Sequence, residues 1–294
     1  MASAALRDTR RRIKSVDSIK KITRAMELIA ASRIPKATAR VAGSKPYTAK
    51  LIEVIENVGG AGGDASHVLL ERRDPTTVGL LVIASDRGMA GAYSSNVIRL
   101  AEQRIKALEK MGQDVLIYAV GKKAQSYFRY RGYMIEQAYV GVTDTPGYGN
   151  ARAIANTVME AYASGRIDAL ESFYTQFAAA MTQIPASIEV LPITPPEREE
   201  TQGPGVSYEF EPSPGEILDR LLPRYVEAVI FNMLLEASAS EHSARRRAMK
   251  AATDNAEELI KGLTVQANRA RQAEITTAIT EIVGGAEALV DVKK

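Results

Sequence analysis

The sequence predicts an α/β fold in which a long antiparallel coiled coil, built from the two ends of the chain, joins a middle domain. Three observations predict it: helical periodicity at both ends, alternating strand and helix signals in the middle, and glycine- or proline-rich stretches between them. We expect residues 1–58 to form the N-terminal coiled-coil helix, residues 59–212 an α/β domain ending in a linker, and residues 213–294 the C-terminal coiled-coil helix.

The N-terminal helix is predicted from about Ala4 to Asn57. Apolar residues recur at three-to-four spacing between Ile13 and Ile29, which indicates one apolar helix face. Glycines within residues 59–63 then end the helix. Proline in a helix interior removes a hydrogen bond at a cost of about 3 kcal/mol, so we expect a kink at Pro35 and a second bend at Pro46.

The middle of the chain alternates between strand and helix patterns. Strands are predicted over Val78–Ala84, Asp114–Val120 and Met134–Val140, helices over Ser95–Met111, Lys122–Arg131 and Ala151–Ala163, and a closing hairpin over Leu170–Ala178 and Ser187–Ile193. This βαβ pattern favours a Rossmann-like α/β domain of about five strands.

The C-terminal helix begins with a capping box. Ser213 is the predicted N-cap, Pro214 takes the first helical position, and Glu216 follows three residues after the cap. Apolar residues keep the helical period as far as Ile282, with a local bend expected at Pro223. At ~1.5 Å per residue this helix is roughly 115 Å long and the N-terminal helix roughly 80 Å. No small domain covers such helices, so the free end of the coiled coil requires a partner.

Composition excludes several kinds of site. The chain has no cysteine, which excludes thiolate metal sites, and its two histidines are too few and too isolated for a zinc cluster. Its longest apolar runs fall far short of the ~20 residues that a membrane-spanning helix needs. Charge is uneven, with 13 Lys/Arg against 5 Asp/Glu in residues 1–57. That basic arm requires an acidic partner, which charge alone leaves open between nucleic acid, anionic lipid and protein.

The loop of residues 85–91 resembles a phosphate-binding turn only in its glycines. It lacks the lysine and hydroxyl of a P-loop and the spacing of a dinucleotide site, so we interpret it as a tight turn. Asp86 then caps the turn or pairs with Arg87 or a partner. Two other classes remain, a nucleic-acid-binding protein and a small nucleotide-dependent enzyme. The basic arm has one aromatic, Tyr47, and the middle domain has no acid, base and nucleophile set, so motifs for both classes are missing.

Three strings resemble the gamma subunits of F-type ATP synthases. They are IKSVDSIKKITRAMELIAASR (residues 13–33), LLVIASDRGMAGAYSSNV (residues 80–97) and ANRARQAEITTAITEIVGGAEAL (residues 267–289). They occur in the family's order and spacing, and the similarity spans nearly the whole chain.

The resemblance implies a rotor without catalysis or cofactors of its own. In that family the paired helices form an axle inside a ring of alpha and beta subunits, and the α/β domain is the foot, which turns with the epsilon subunit and the membrane c ring. The chain is then expected to be peripheral, on the cytoplasmic side of a bacterial plasma membrane. Small residues near the C-terminus fit a slim axle, although they equally suit close packing of two helices; these are Ala267, Ala270, Ala273, Thr276, Thr277 and Ala278.

The resemblance also implies contact residues. Contacts with the beta subunit are expected at Met26, Arg245, Arg271, Gln272 and Thr276, and contacts with the c ring or epsilon at Arg33, Lys36, Tyr208, Phe210 and Glu211. Ala278 stands where the family often has glutamate. Two structural alternatives to these contacts remain. Arg271 and Gln272 could lie on a solvated helix face, and Met26 could be a core residue. Since Arg245, Arg246 and Arg247 cannot all face one way on a helix, at least one faces solvent or a partner.

Overall fold

The computed structural model describes residues 4–59, 67–194 and 213–291, and within them it has five α-helices and five strands. In chain order these elements are α1 Ala4–Gly59, β1 Thr77–Ile83, α2 Tyr93–Lys110, β2 Asp114–Val120, α3 Lys122–Tyr130, β3 Ile135–Tyr139, α4 Tyr148–Ala163, β4 Ala169–Phe177, β5 Gln183–Leu191 and α5 Pro214–Asp291. Each predicted element is therefore present with boundaries that differ by a few residues.

The five strands form one sheet in the order β3-β2-β1-β4-β5. Strand β1 lies at the centre and pairs in parallel with β2 and β4, and β3 pairs in parallel with β2. Only β5 is antiparallel, because a short hairpin joins it to β4. The predicted Rossmann-like α/β domain with a closing hairpin is confirmed.

The central strand β1 is buried on both faces, which explains its continuous apolar run. Leu80 and Val82 belong to one apolar cluster, whereas Leu81 and Ile83 belong to another, as the two-residue period of a strand requires. Helices α2 and α3 cover the first cluster. Helix α4 covers the second together with α5, from Leu218 to Ala237, and the end of α1.

Two boundaries differ from the sequence-based prediction for identifiable reasons. Strand β5 starts at Gln183 rather than Ser187, and it contains Pro185. Proline discourages a strand assignment, but an edge strand tolerates it because one side of its backbone has no partner strand. Helix α4 starts at Tyr148 rather than Ala151, since the Asn150 side chain caps it by accepting the Gly147 N–H at 2.9 Å.

The terminal helices are continuous over 56 residues in α1 and 78 residues in α5. The helical conformation continues through Pro35 and Pro46 in α1 and through Pro223 in α5, so the bends expected there stay a prediction. The predicted cap is present: the Ser213 hydroxyl accepts the Glu216 N–H at 3.3 Å.

The chain divides into two compact units, to which both terminal helices contribute. In the first unit, residues up to 29 pair with residues from 246 onward, and the Thr23 and Thr253 hydroxyls are 2.8 Å apart. In the second unit, residues 30–245, the Asn232 amide donates to the Thr48 hydroxyl at 2.6 Å. In the second unit Val41 packs against Leu235 and Thr48 bonds to Asn232, so residue numbers rise along α1 as they fall along α5, as an antiparallel pair requires.

Candidate functional site

Large apolar side chains are exposed along both helices of the first unit. On α1 the exposed residues are Ile19, Ile22, Leu28 and Ile29, and on α5 they are Leu259, Val265, Ile275, Ile279, Ile282 and Val283. The exposed fraction reaches 60% at Ile22 and 73% at Ile282. We call these ten residues the apolar stripe. Scattered exposed apolar residues are ordinary, but ten on one helix pair indicate a surface that another protein covers.

A charged groove lies beside the Met26 turn. It has a volume of about 580 Å³ and is lined by basic side chains, including Lys20, Lys21 and Arg24, together with Lys250 and the acidic residues Asp254 and Glu257. Met26 itself is half-buried. Glu27 is buried and accepts from Arg24 at 2.8 Å, whereas Lys20 and Lys21 pair with Asp17 at 3.5 and 2.8 Å. Lys250 pairs with Asp254 at 2.8 Å, so each of the four cations has an acidic partner in the chain, while Lys21, Arg24 and Lys250 stay exposed to an approaching acidic segment.

Arg271, Gln272 and Thr276 are all exposed on α5. The Thr276 hydroxyl donates to the Gln272 backbone carbonyl at 3.0 Å. In the described part of the chain, Arg271 forms no ion pair. It lines a shallow groove of about 840 Å³ with Leu6 and Arg10 of α1. The structure therefore brings these three predicted residues to one exposed stretch of helix.

A buried polar stretch of α5 was not predicted from the sequence. All eight residues from Ser238 to Arg245 are buried, although six of them are polar or charged. We call this stretch the polar segment. Its only signal in the sequence is an interruption of the apolar periodicity, since no large apolar residue occurs between Leu235 and Met249.

The polar segment is bonded to the domain around it by several hydrogen bonds. The Asp144 carbonyl accepts from the Ser238 hydroxyl at 3.0 Å and from His242 Nε2 at 3.2 Å. On β4, the Thr175 carbonyl accepts from the Ser240 hydroxyl at 3.1 Å. A carbonyl only accepts, so His242 carries its proton on Nε2. Burial lowers the pKa of His242, which favours the neutral ring.

Arg245 is largely committed inside the second unit. Its side chain is 9% exposed, its guanidinium lies 2.5 Å from the Glu241 carboxylate, and it donates to the Gly88 carbonyl at 3.4 Å. Burial raises the pKa of Glu241, while Arg245 opposes that shift. The expected contact of Arg245 with a beta subunit stays a prediction, with little of its own surface left for it.

The predicted foot contacts are only partly described. Arg33 is half-buried and forms an ion pair with Asp144 at 2.5 Å. Burial alone would raise the pKa of Asp144, but the hydrogen bond from Arg33 contributes to a net lowering. Lys36 is exposed. Tyr208, Phe210 and Glu211 lie outside the described residues.

The loop of residues 85–91 is held by its own bonds. Asp86 accepts from the Thr143 N–H and hydroxyl at 3.1 and 3.0 Å and from the Lys122 N–H at 3.1 Å. It therefore binds the start of α3 and the loop after β3, a role that the sequence analysis did not predict. Burial would raise the pKa of Asp86, but backbone N–H groups of Gly141, Thr143 and Lys122 lower it.

The described residues contain neither a metal cluster nor a membrane-spanning helix. Within ranges 4–59, 67–194 and 213–291, no three histidine or acidic side chains are grouped so as to hold a metal ion. Over the same ranges, no helix has an apolar stretch long enough to cross a membrane.

Comparison with known proteins gives a consistent result. A family model described as ATP synthase matches residues 5–289. The chain is 49% identical over 290 residues to the ATP synthase gamma chain of Parafrankia sp. (strain EAN1pec), covering 97% of both chains. It is 44% identical over 302 residues to the ATP synthase gamma chain of Mycolicibacterium smegmatis, covering 98% of both.

A solved structure supports the fold. The chain resembles one from the central stalk and c-ring of the Tetrahymena thermophila mitochondrial ATP synthase, with a TM-score of 0.59 at 23% identity. The match covers 79% of this chain and 99% of that one. The two gamma chains are 44–49% identical to this chain over nearly its full length, and the family model matches residues 5–289. The chain therefore belongs to the ATP synthase gamma chain family.

Proposed function

We propose that the chain is the central-stalk rotor subunit of an F-type ATP synthase. It couples ion-driven rotation of a membrane c ring to ATP synthesis at sites on an alpha–beta ring, and it performs no catalysis itself. The α/β domain, residues 59–212, is the foot, which meets the c ring and the epsilon subunit, and the terminal helices form the axle. The complex is held at the cytoplasmic side of a bacterial plasma membrane, where this chain is peripheral.

The apolar stripe is the observation that carries this proposal. A two-helix unit has no interior large enough to cover apolar residues on its outer surface. Burying a fully exposed side chain of this size contributes about 1.5–3 kcal/mol, so covering the exposed half of each would stabilise an assembly by about 1 kcal/mol. A collar of partner subunits around the helix pair supplies that burial. The curated relatives are named ATP synthase gamma chains, and the Tetrahymena chain comes from a central stalk with a c-ring, which supports the same partner.

The contact residues divide between the two ends of the rotor. We assign Arg271, Gln272 and Thr276 to a contact with a beta loop, and Met26 to a contact with an acidic beta segment that the neighbouring groove attracts. Arg245 has less support, because its guanidinium is already bonded inside the chain. At the foot we assign contacts with the c ring or epsilon; the residues concerned are Arg33, Lys36, Tyr208, Phe210 and Glu211.

The experiment uses the absence of cysteine in the chain. Met111 is exposed at the end of α2, so Met111→Cys gives a single attachment point for a bead on the foot. The tagged chain is purified from host membranes, its partners are identified, and the alpha–beta ring is fixed to a surface. We expect alpha, beta, epsilon and c subunits to copurify and the bead to rotate in one direction when ATP is added. Hydrolysis of ATP with a stationary bead would contradict the proposal.

A further inference from the structure

The polar segment is unusual because it is buried on every side. Successive helix residues are about 100° apart around the axis, so eight consecutive buried residues leave no face of α5 in solvent. A helix buried all round is ordinarily apolar all round. Here the buried sequence is Ser-Ala-Ser-Glu-His-Ser-Ala-Arg.

Stability does not explain this choice of residues. The Ser243 Oγ atom is buried with no hydrogen-bond partner among the described residues. Burying a polar group without a partner costs about 1–3 kcal/mol, and replacing buried ion pairs by packed apolar residues is often neutral or stabilising. Alanine and leucine along this stretch would therefore hold α5 in the domain at least as firmly. The polar residues supply something that apolar packing lacks.

Hydrogen bonds, unlike apolar contacts, fix the orientation of the helix about its own axis. Apolar contacts tolerate a helix turning or sliding slightly about its axis, whereas hydrogen bonds weaken steeply as their angles change. Ser238 and Ser240 are two positions apart, about 200° around the helix, so their bonds to Asp144 and Thr175 lie on nearly opposite sides of α5. One turn earlier than Glu241, the Ala237 carbonyl accepts from the Tyr93 hydroxyl at 3.0 Å. Bonds on opposite sides of a shaft resist its rotation.

The acceptors and donors around the segment belong to a connected framework. Asp144 follows β3, Tyr93 begins α2 after β1, and the loops after β1 and β3 are joined through Asp86 and Thr143. Arg33 of α1 binds the Asp144 carboxylate, so α1 as well as α5 is attached to the domain at Asp144. The carboxyl edge of the sheet therefore holds both helices.

We infer that the polar segment is an angular lock, which fixes the rotational setting of α5 against the α/β domain so that torque at the foot turns the helix without slip. The inference rests on the proposed rotor function and names residues of the foot that transmit the torque. These are positioning residues: they touch no nucleotide and act through the helix.

The test removes hydroxyls from the lock in the assembled complex. The lock variant combines Tyr93→Phe, Ser238→Ala and Ser240→Ala, which deletes three oxygens and leaves the apolar packing in place. With the alpha–beta ring fixed and the rotor stalled without ATP, the angular fluctuation of the bead on Met111→Cys reports torsional stiffness. The variant removes three of the five hydrogen bonds described above, and the stiffnesses of links that act in parallel add. We therefore expect about a two-fold larger angular variance than in the parent complex.

A matched control separates stiffness from stability. Tyr139→Phe deletes a hydroxyl whose 2.7 Å bond goes to Thr157 of α4 and to neither terminal helix. Ile105→Val trims the apolar cluster under α2 and α3, at a cost of about 0.5–1.5 kcal/mol. We expect this pair to lower the melting temperature of the isolated chain as much as the lock variant does, while leaving the angular variance unchanged.

The outcomes are distinguishable. Equal variance in the lock variant and the parent would overturn the angular lock, as would an equal rise in the control, which would indicate general destabilisation. If the triple variant does not assemble, the double variant Tyr93→Phe with Ser238→Ala replaces it in the same comparison, with the same two outcomes. A parent complex whose bead never rotates with ATP contradicts the rotor function itself, a separate result from unchanged stiffness.

Discussion

Gly121 shows how one residue fixes the carboxyl edge of the sheet. It follows β2 with φ of 92° and ψ of 144°, a conformation that is almost restricted to glycine. A Cβ at this position would collide with the backbone of Ala84 and Ser85, immediately after β1. The close approach lets Asp86 reach the start of α3. Glycine is therefore required twice, for its backbone angle and for its missing side chain.

Gly121→Ala is expected to destabilise the chain by at least about 3 kcal/mol, because strain and a backbone collision add. Gly112→Ala is the matched control, since Gly112 has a φ of 76° but nothing within 4 Å of an added Cβ. It should cost about 1–2 kcal/mol. Denaturant unfolding of the isolated chains measures both, and equal losses would show that the collision is relieved by a small backbone shift.

Met26→Lys tests the surface beside the charged groove. If an acidic beta segment faces Met26, the new ammonium gains a charge-assisted hydrogen bond of about 1.5–3 kcal/mol, which must break on each rotational step. We expect normal assembly, a steeper temperature dependence of ATP hydrolysis and poorer coupling to proton pumping. Met26→Leu should be nearly silent.

The alternative for Met26 gives the opposite pattern. Met26 is half-buried, so a lysine that disturbs the helix pair would reduce the yield of complex. Low yield with normal coupling in the complexes that do form would therefore assign Met26 to the packing of α1 against α5.

Helix α5 changes its surroundings along its length. From Leu218 to Ala237 it supplies apolar residues to the core beneath the sheet, the polar segment follows, and from Arg246 onward it belongs to the helix pair. One regular helix thus serves three environments, because the backbone hydrogen bonds are satisfied internally whatever the side chains meet. The three environments therefore differ only in the side chains that α5 presents to them.

At the C-terminal part of α5 we expect Arg271→Ala with Gln272→Ala to slow ATP hydrolysis in the assembled complex more than either single change. Both residues are exposed and adjacent, and neighbouring contacts with one loop rarely act independently. Steady-state turnover of the purified complex measures the effect. The control pair is Gln266→Ala with Arg269→Ala, the same residue types exposed nearby on α5. Wild-type turnover in the first pair, or equal slowing in both, would remove the contact from this site.

Across the molecule as a whole, charge and shape set what the isolated chain binds. The net charge is +3, with a basic N-terminal arm, and the groups of the loop after β1 are occupied by bonds within the chain. We expect the isolated chain to bind neither ATP nor DNA at physiological salt, because the described residues offer no free phosphate cradle and the arm has a single aromatic to stack on bases. Equilibrium dialysis with ATP and a gel shift with duplex DNA measure this. Micromolar binding of either ligand would be contrary to the expectation.

Local sequence signals were enough to specify the elements and their broad arrangement. The apolar run of β1, the capping box at Ser213 and the periodicity of α1 are signals of this kind, and they act over a few neighbouring residues. The first half of β5 was missed in the sequence-based prediction because it contains Pro185. A single sequence does not reveal that a strand lies at the edge of a sheet, where proline is tolerated. Three sequence strings in the family's order and spacing were enough to identify the family.

Which polar residues are buried depended on the tertiary structure alone. Arg245, Glu241 and Ser238 have the composition of a solvated helix surface, yet the loops after β1 and β3 and strand β4 enclose them. Burial of this kind depends on contacts between residues far apart in the chain, such as Ser238 with Asp144, 94 positions away, and Arg245 with Gly88, 157 positions away. A buried polar side chain needs hydrogen-bond partners, and these partners come close only when the distant segments meet in the folded chain. The residues next to it in the sequence therefore do not reveal which partners it has.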